Sequence, residues 1–215
     1  LDNYGRLDIV LSNAGVDQPT SFHKQPLEDF KHNMEINFHS VVRLLHAAWP
    51  HLRENGYGRV LVSTSTAGLY GNHGQSAYSS SKAALLGLTK TLGIEGRGKG
   101  ICANAIAPYA VTGLTRQWFD QERLAQFSTE SVARVAGWLV SEQCNLSSET
   151  IIAGAGHARL AQYQETDSVP VNLDPGLAIK TLQSLERNQT HASANDEFQS
   201  FMHSLPVAPP ETPQA

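Results

Sequence analysis

The chain reads as an α/β protein, a parallel sheet covered on both faces by helices. Short apolar, β-branched runs recur at residues 8–12, 58–64, 101–107 and 150–154. Between them, apolar residues follow the helical period of about 3.6 rather than the strand period of two. Strands alternating with helices at this spacing give each pair of neighbouring strands a crossover helix, and that is the pattern of a parallel sheet.

Asp2 to Arg6 looks like the tail of an earlier element that runs into the first strand, Asp8-Ile9-Val10-Leu11-Ser12, which ends in Asn13-Ala14-Gly15. Gly15 lets the backbone turn tightly and approach a ligand, and Asn13 can bond neighbouring backbone groups. Pro26 suits the first turn of a long amphipathic helix to about Asn55, with Leu27, Phe30, Met34, Phe38, Val41, Leu45 and Ala48 on one side. Within it Asn37 is a poor helix former between Ile36 and Phe38. It is either a polar group kept in an apolar wall or an exposed side chain. His32, His39 and His46 recur every seven residues. That step climbs ~10.5 Å, too far for ligands of one metal ion, so the three form a surface or subunit-contact stripe.

The second strand, Gly58 to Thr64, breaks at Ser65. The helix that follows carries Leu85, Leu88 and Leu92 on one face, and it places Tyr78 and Lys82 one turn apart on a shared face. A third strand, Ile101 to Ala107, is stopped by Pro108. From Tyr109 to Gln126 no period holds, as expected of a lid or binding loop, and Trp118 within it serves packing or substrate contact. Ser128 caps a helix lined by Val132, Val135, Ala136 and Leu139, and Thr150 to Gly154 makes the fourth strand. From about Asp167 the pattern decays, with room for one or two helices between Leu182 and Leu205. The prolines at 206, 209, 210 and 213 make a tail that builds no core. The expected organisation is a domain over 1–166, a partly helical extension over 167–205 and a disordered Pro-rich tail over 206–215.

At 215 residues, 40% hydrophobic and 17% charged, the chain has the composition of a soluble globular protein with one core. A net charge of -4 gives no electrostatic case for nucleic acid or anionic membrane as a partner. No apolar run approaches the ~20 residues of a membrane span, and no signal peptide is visible. Cys102 and Cys144 have no metal-ligand spacing. They fit buried packing in a reducing compartment, so a cytoplasmic location without a metal is expected. The final residues are not a Ser-Lys-Leu peroxisomal address.

The chemistry centres on Ser65, Tyr78 and Lys82. A tyrosine with a reference pKa of about 10 needs ~4 kcal/mol of preference for the phenolate to work near neutrality. A lysine ammonium one turn away, assisted by a bound cation, is a source of that preference. Ser65 at a strand end can hold the oxygen that exchanges a proton with Tyr78. On the residues alone, Tyr-x-x-x-Lys is equally an aromatic and a solvated lysine on a helix.

Taken together, Asn13-Ala14-Gly15, Asn37, Ser65, Tyr78-x-x-x-Lys82 and Pro108 after the third strand resemble the short-chain dehydrogenase/reductase family, over about Leu1 to Gly156. The resemblance implies the C-terminal part of a Rossmann-type doubly wound parallel sheet using NAD or NADP. It also implies an oxidoreductase that interconverts a small carbonyl compound and a secondary alcohol, and a homo-oligomer in the full-length form. Tyr78 would be the acid/base, and Lys82 would lower its pKa and bind the nicotinamide ribose. Ser65 would orient the substrate oxygen, and Asn37 would complete a proton relay through water. Asn13, Ala14 and Gly15 would flank the cofactor, and Pro108, Tyr109, Ala110, Val111 and Thr112 would face the nicotinamide.

More narrowly, Gly68-Leu69-Tyr70-Gly71-Asn72, Ala107-Pro108-Tyr109-Ala110 and Trp138 are similar to the hydroxyacyl-CoA dehydrogenase part of peroxisomal multifunctional β-oxidation enzymes. Two features depart from the family pattern. Tyr109 stands where the family usually has glycine, with Thr112 one residue earlier than the usual threonine. No Gly-x-x-x-Gly-x-Gly loop precedes Asp8, so the first strands and the phosphate site at a helix N-terminus are expected to be missing. The chain would then be the catalytic part of a longer enzyme, with little activity of its own. The competing readings are a truncated, inactive binding or regulatory module and a structural scaffold.

Overall fold

Strand β2 (Gly58–Ser63) is buried at every position. Its sequence, Gly-Arg-Val-Leu-Val-Ser, is that of a strand covered on both faces. In the computed structural model, which describes residues 3–116, 120, 124–170 and 175–205, β2 belongs to a five-stranded sheet. The sheet runs in sequence order from β1 (Ile9–Ser12) through β2, β3 (Ile101–Tyr109) and β4 (Thr150–Gly154) to β5 (His157–Ala161). The first four strands are parallel, in register from Ile9↔Arg59 to Tyr109↔Gly154, and β5 returns antiparallel to β4. The chain forms two compact units, Leu1–Ala161 and Gln162–Ala215.

Period-two alternation divides the first unit's core into two layers. Val10, Val60, Val62, Ala103 and Ala105 pack on one face against Val41, Leu45, Ala48 and Leu52 of α2 (Ser40–Asn55) and Leu85 and Leu86 of α4 (Ser76–Gly96). Leu61, Ile106, Ile151 and Ala153 face the other way, against Leu139 of α5 (Thr129–Leu139), Cys144 and the half-buried Val132, Val135 and Ala136. Each fully buried Leu, Ile or Val contributes about 1.5–3 kcal/mol relative to exposure.

The long helix expected from Pro26 to Asn55 is α1 (Leu27–Met34), a π turn (Glu35–His39) and α2, with right-handed helical backbone across both junctions. Asn37 sits inside the π turn and is fully buried, whereas His32, His39 and His46 are exposed. A π turn adds a residue to the helical ladder and redirects the side chains around it.

Pro108 does not stop the third strand, which continues to Tyr109. It has the parity of Ile106, whose carbonyl accepts a hydrogen bond from the Thr64 amide at 2.8 Å, so its missing N–H falls on the β2 side. The last β2–β3 pair is Ser63↔Ile106, and beyond it proline removes no ladder bond. Two elements were not anticipated, α3 (Thr66–Tyr70) and β5. The first is a single short turn. The second is short and exposed along most of its length, and the alternation in His-Ala-Arg-Leu is too brief to mark a strand.

In the second unit, α6 (Pro175–Ser184) begins earlier than expected and α7 (Ala194–Ser204) contains Phe198 and Met202. Ser193 caps α7 by accepting from the Asp196 amide at 3.2 Å. Trp118 and the Pro-rich tail lie outside the described residues. Among the described residues no helix is long and apolar enough to cross a membrane.

Candidate active site

At the C-terminal ends of β1, β2 and β3 the chain leaves the sheet three times, through Asn13, Ser63–Ser65 and Tyr109. The space between these exits is a cavity of about 1200 Å³. Its walls include Asn13, Ala14, Gly15, Ser65, Tyr78, Lys82, Pro108, Tyr109, Ala110 and Thr112. Residues far apart in sequence thus meet at the edge where parallel strands end, the usual ligand side of an open α/β sheet.

Ser65 caps α3, its hydroxyl accepting from the Ala67 amide at 3.1 Å. The backbone of α3 lies directly on α4. A Cβ on Gly68 would stand 2.8 Å from the Lys82 carbonyl carbon and 2.9 Å from the Ala83 nitrogen, so only glycine permits this approach. That packing brings Ser65 close enough to Tyr78 to oppose the rise in proton affinity that burial gives the phenol.

Lys82 is 4% exposed and donates from Nζ to the Ser63 carbonyl at 2.8 Å. Its own carbonyl accepts from Thr64 Oγ1 at 2.7 Å, and Ser63 Oγ bonds Asn13 Oδ1 at 2.6 Å. The ends of β1 and β2 are thereby tied to α4. A Cβ on Gly15 would lie 2.8 Å from Asn37 Oδ1 and 3.3 Å from Lys82 Nζ, so the glycine in Asn13-Ala14-Gly15 is required by close approach of two side chains.

Asn37 and Val111 do not line the cavity. Asn37 lies behind the wall, with Oδ1 accepting from the Val16 amide at 2.9 Å and Nδ2 donating to the Val16 carbonyl at 2.8 Å and to Asn33 Oδ1 at 2.7 Å. Its side chain pins the turn that carries Gly15. The Val111 amide donates to the Phe127 carbonyl at 2.8 Å and holds the loop shut on itself.

The electrostatics differ from the expected poise of Tyr78 by Lys82. Burial pushes the Tyr78 phenol up, with Ser65 acting against the rise and the Asp17 carboxylate adding to it. Burial also pushes the Lys82 ammonium down to about 8. Its Nζ is 5.7 Å from the centre of the Tyr78 ring and is committed to the Ser63 carbonyl. In this state the phenol holds its proton and desolvation outweighs the cation.

Three polar residues, Asn33, Asp17 and Gln75, were missed by the sequence reading. Asn33 is buried and bonds Asn37. Its position one turn before Asn37, on the same face of an apolar helix, was a usable signal. Asp17 accepts from Gln75 Nε2, and Asn72 Nδ2 donates to Gln75 Oε1 at 2.6 Å, all on the cavity wall. Burial raises the Asp17 carboxyl while Gln75 pulls it down. Neither Asp17 nor Gln75 stands at a spacing that marks it in the sequence.

The donors of this cavity fit the nicotinamide riboside end of a dinucleotide. An ammonium and a phenol suit ribose hydroxyls, and Asn13 and Ala14 line the same cavity.

A family model described as short chain dehydrogenase matches residues 1–123. A short-chain type dehydrogenase/reductase of Mycobacterium tuberculosis is 40% identical over 82% of this chain and 62% of its own length. Peroxisomal multifunctional enzyme type 2 of Mus musculus is 35% identical over 77% of this chain and 23% of its own. Acetoacetyl-CoA reductase of Rhizobium meliloti is 34% identical over 71% of this chain and 68% of its own. The solved full-length peroxisomal multifunctional enzyme type 2 of Drosophila melanogaster superposes with a TM-score of 0.76 at 21% identity, over 90% of this chain and 37% of that one, which shows a shared fold. The chain thus spans less than two thirds of the first two of these relatives. With the family model over more than half its length, and with the Ser65, Tyr78 and Lys82 side chains gathered at the strand ends, the chain belongs to the short-chain dehydrogenase/reductase family.

Proposed function

We propose that the protein transfers hydride between NAD or NADP and a carbonyl/secondary alcohol pair, with a 3-oxoacyl or 3-hydroxyacyl thioester as the substrate class. The observation that carries the reading is the convergence of the Ser65 hydroxyl and the Tyr78 phenol on one wall, with the Lys82 ammonium beneath. The name of the acetoacetyl-CoA reductase relative supports the thioester. The nicotinamide, when bound, supplies the hydride for reduction or accepts it in oxidation.

The chain's own residues handle the oxygen and the proton. Ser65 Oγ holds the substrate oxygen beside Tyr78 Oη. In the reducing direction the phenol, which burial keeps protonated, donates to that oxygen. Lys82 Nζ holds the ribose side of the cofactor. Asn37 acts through the turn at Val16 and Gly15, keeping the floor beneath Lys82 in place. A cytoplasmic location and a homo-oligomeric state belong to the same reading. They rest on the two unpaired cysteines and on the family resemblance.

Replacing Tyr78 by Phe tests the reading. The ring and its packing stay, and the proton carrier goes. In the full-length enzyme, turnover of acetoacetyl-CoA with NADH or NADPH is expected to fall by about 100-fold or more, with cofactor affinity retained. Turnover within a few-fold of the parent protein would overturn it.

A further inference from the structure

The cavity has one wall built unlike the rest. Tyr109 ends β3 directly opposite Gly154 of β4. A Cβ on Gly154 would stand 2.6 Å from both the Tyr109 Cβ and the Tyr109 carbonyl oxygen, so the tyrosine lies against bare backbone. At its other end the Tyr109 hydroxyl donates to Thr66 Oγ1 at 3.1 Å. Thr66 is the first residue of α3 and directly follows Ser65. The ring therefore bridges the end of β3 and the start of α3, held at its tip by the Thr66 bond. It remains 43% exposed, and both Tyr109 and Thr66 line the same cavity as Ser65 and Tyr78.

Thr66 and the Tyr109 ring line the same cavity as Ser65 and Tyr78, so they are placed to meet the substituents of a carbonyl held there. A free aromatic side chain would swing aside for a bulky group. This one must give up the Thr66 bond to move. A tethered ring sets a fixed width, and a pocket of fixed width discriminates single methyl groups by roughly 10–200-fold.

Resting on the carbonyl-substrate reading above, we infer that Tyr109, tethered to Thr66, is the specificity-determining strap of the site, admitting substrates unbranched beside the carbonyl and excluding those branched there. Beyond the strap, Leu114, Val132 and Ala136 give the cavity an apolar outer wall suited to an acyl chain.

The probes are acetoacetyl-CoA and 2-methylacetoacetyl-CoA. Each is measured by calorimetric titration of the protein and by turnover with NADH or NADPH. The parent protein is expected to favour the unbranched thioester by at least about 10-fold in Kd and in kcat/KM. Tyr109→Ala is expected to bring the ratio to within about 3-fold. Thr66→Val keeps the shape of the threonine and removes the tether, and it should relax the ratio part of the way. Tyr109→Phe should match it, and the Thr66→Val/Tyr109→Phe pair should do no more than either alone. Thr66→Val and Tyr109→Phe keep the question open to test where Tyr109→Ala fails to fold. An unchanged ratio in the folded variants overturns the strap and leaves the oxidoreductase reading standing. Binding without turnover overturns the oxidoreductase reading, and the Kd ratios then judge the strap. Binding of neither thioester overturns the strap, since there is then no selection to make.

Discussion

Lys82 shows how a single side chain sets function against stability. Its ammonium is buried with one carbonyl partner, and burial lowers its proton affinity from 10.5 to about 8. At about 1.4 kcal/mol per pH unit, the charged form costs the folded state ~3 kcal/mol. The folded value lies below the unfolded one. Between pH 8 and 10.5 the unfolded chain therefore binds more protons, and stability rises with pH across that window. Below pH 8 the full cost is present. Lys82→Met removes the charge, keeps most of the stem and leaves the Ser63 carbonyl unpaired, a loss of about 1 kcal/mol. The variant is expected to be more stable than the parent by ~1–2 kcal/mol at pH 7, a gain that shrinks toward pH 10.5, while its cofactor affinity falls. Urea unfolding at several pH values measures this, and a parent protein whose stability is flat from pH 8 to 10.5 would contradict it.

Among the elements, the π turn between α1 and α2 is the one that reaches the site. It carries Asn37, which satisfies both backbone groups of Val16 and bonds Asn33. Asn33 Oδ1 in turn lies 3.2 Å from Ser81 Oγ on α4, so the turn, the first loop and the helix of Tyr78 and Lys82 form one hydrogen-bonded unit. Asn37→Ala strands the part-buried Val16 amide and leaves Asn33 Oδ1 with Ser81 alone, and an unsatisfied buried group costs about 1–3 kcal/mol. Destabilisation of ~1–3 kcal/mol is expected from denaturant midpoints, together with loss of turnover as Gly15 leaves its place under Lys82. A shift of less than ~0.5 kcal/mol would show that the turn holds itself without Asn37. The buried asparagine was legible as an oddity within an apolar helical pattern. The π turn was not, because hydrophobic period fixes which face is apolar and leaves one extra residue in the ladder invisible.

For the molecule as a whole, the sheet is unevenly covered. α5 packs over β2, β3 and β4. On that same face Ile9 and Leu11 of β1 stand 46% and 48% exposed. The outer edge of β1 has no strand partner among the described residues. An open edge beside exposed apolar side chains is a template for association. The 215-residue chain by itself is therefore expected to self-associate with rising concentration, and Ile9→Lys with Leu11→Lys to suppress this, as read by sedimentation velocity. A monodisperse parent monomer at high concentration would contradict the expectation.

The sequence by itself determined the alternation of strands and helices, the apolar faces and the positions of Ser65, Tyr78 and Lys82. The strands, helices and apolar faces rest on periodicity, a local property of the chain, and the roles expected of Ser65, Tyr78 and Lys82 rest on the family resemblance. Strand order, the path of β3 through Pro108, the late β5 and the contacts of Asn37 and Tyr109 were decided only in the folded chain. So was the balance of proton affinities at Tyr78 and Lys82. Each depends on what another segment brings: the end of β2 beside Pro108, the Val16 turn against Asn37, and Thr66 within reach of Tyr109. Burial is a sum over such neighbours, and so the same tyrosine and lysine that spacing pairs for an acid/base role are held, in the structure, by desolvation first.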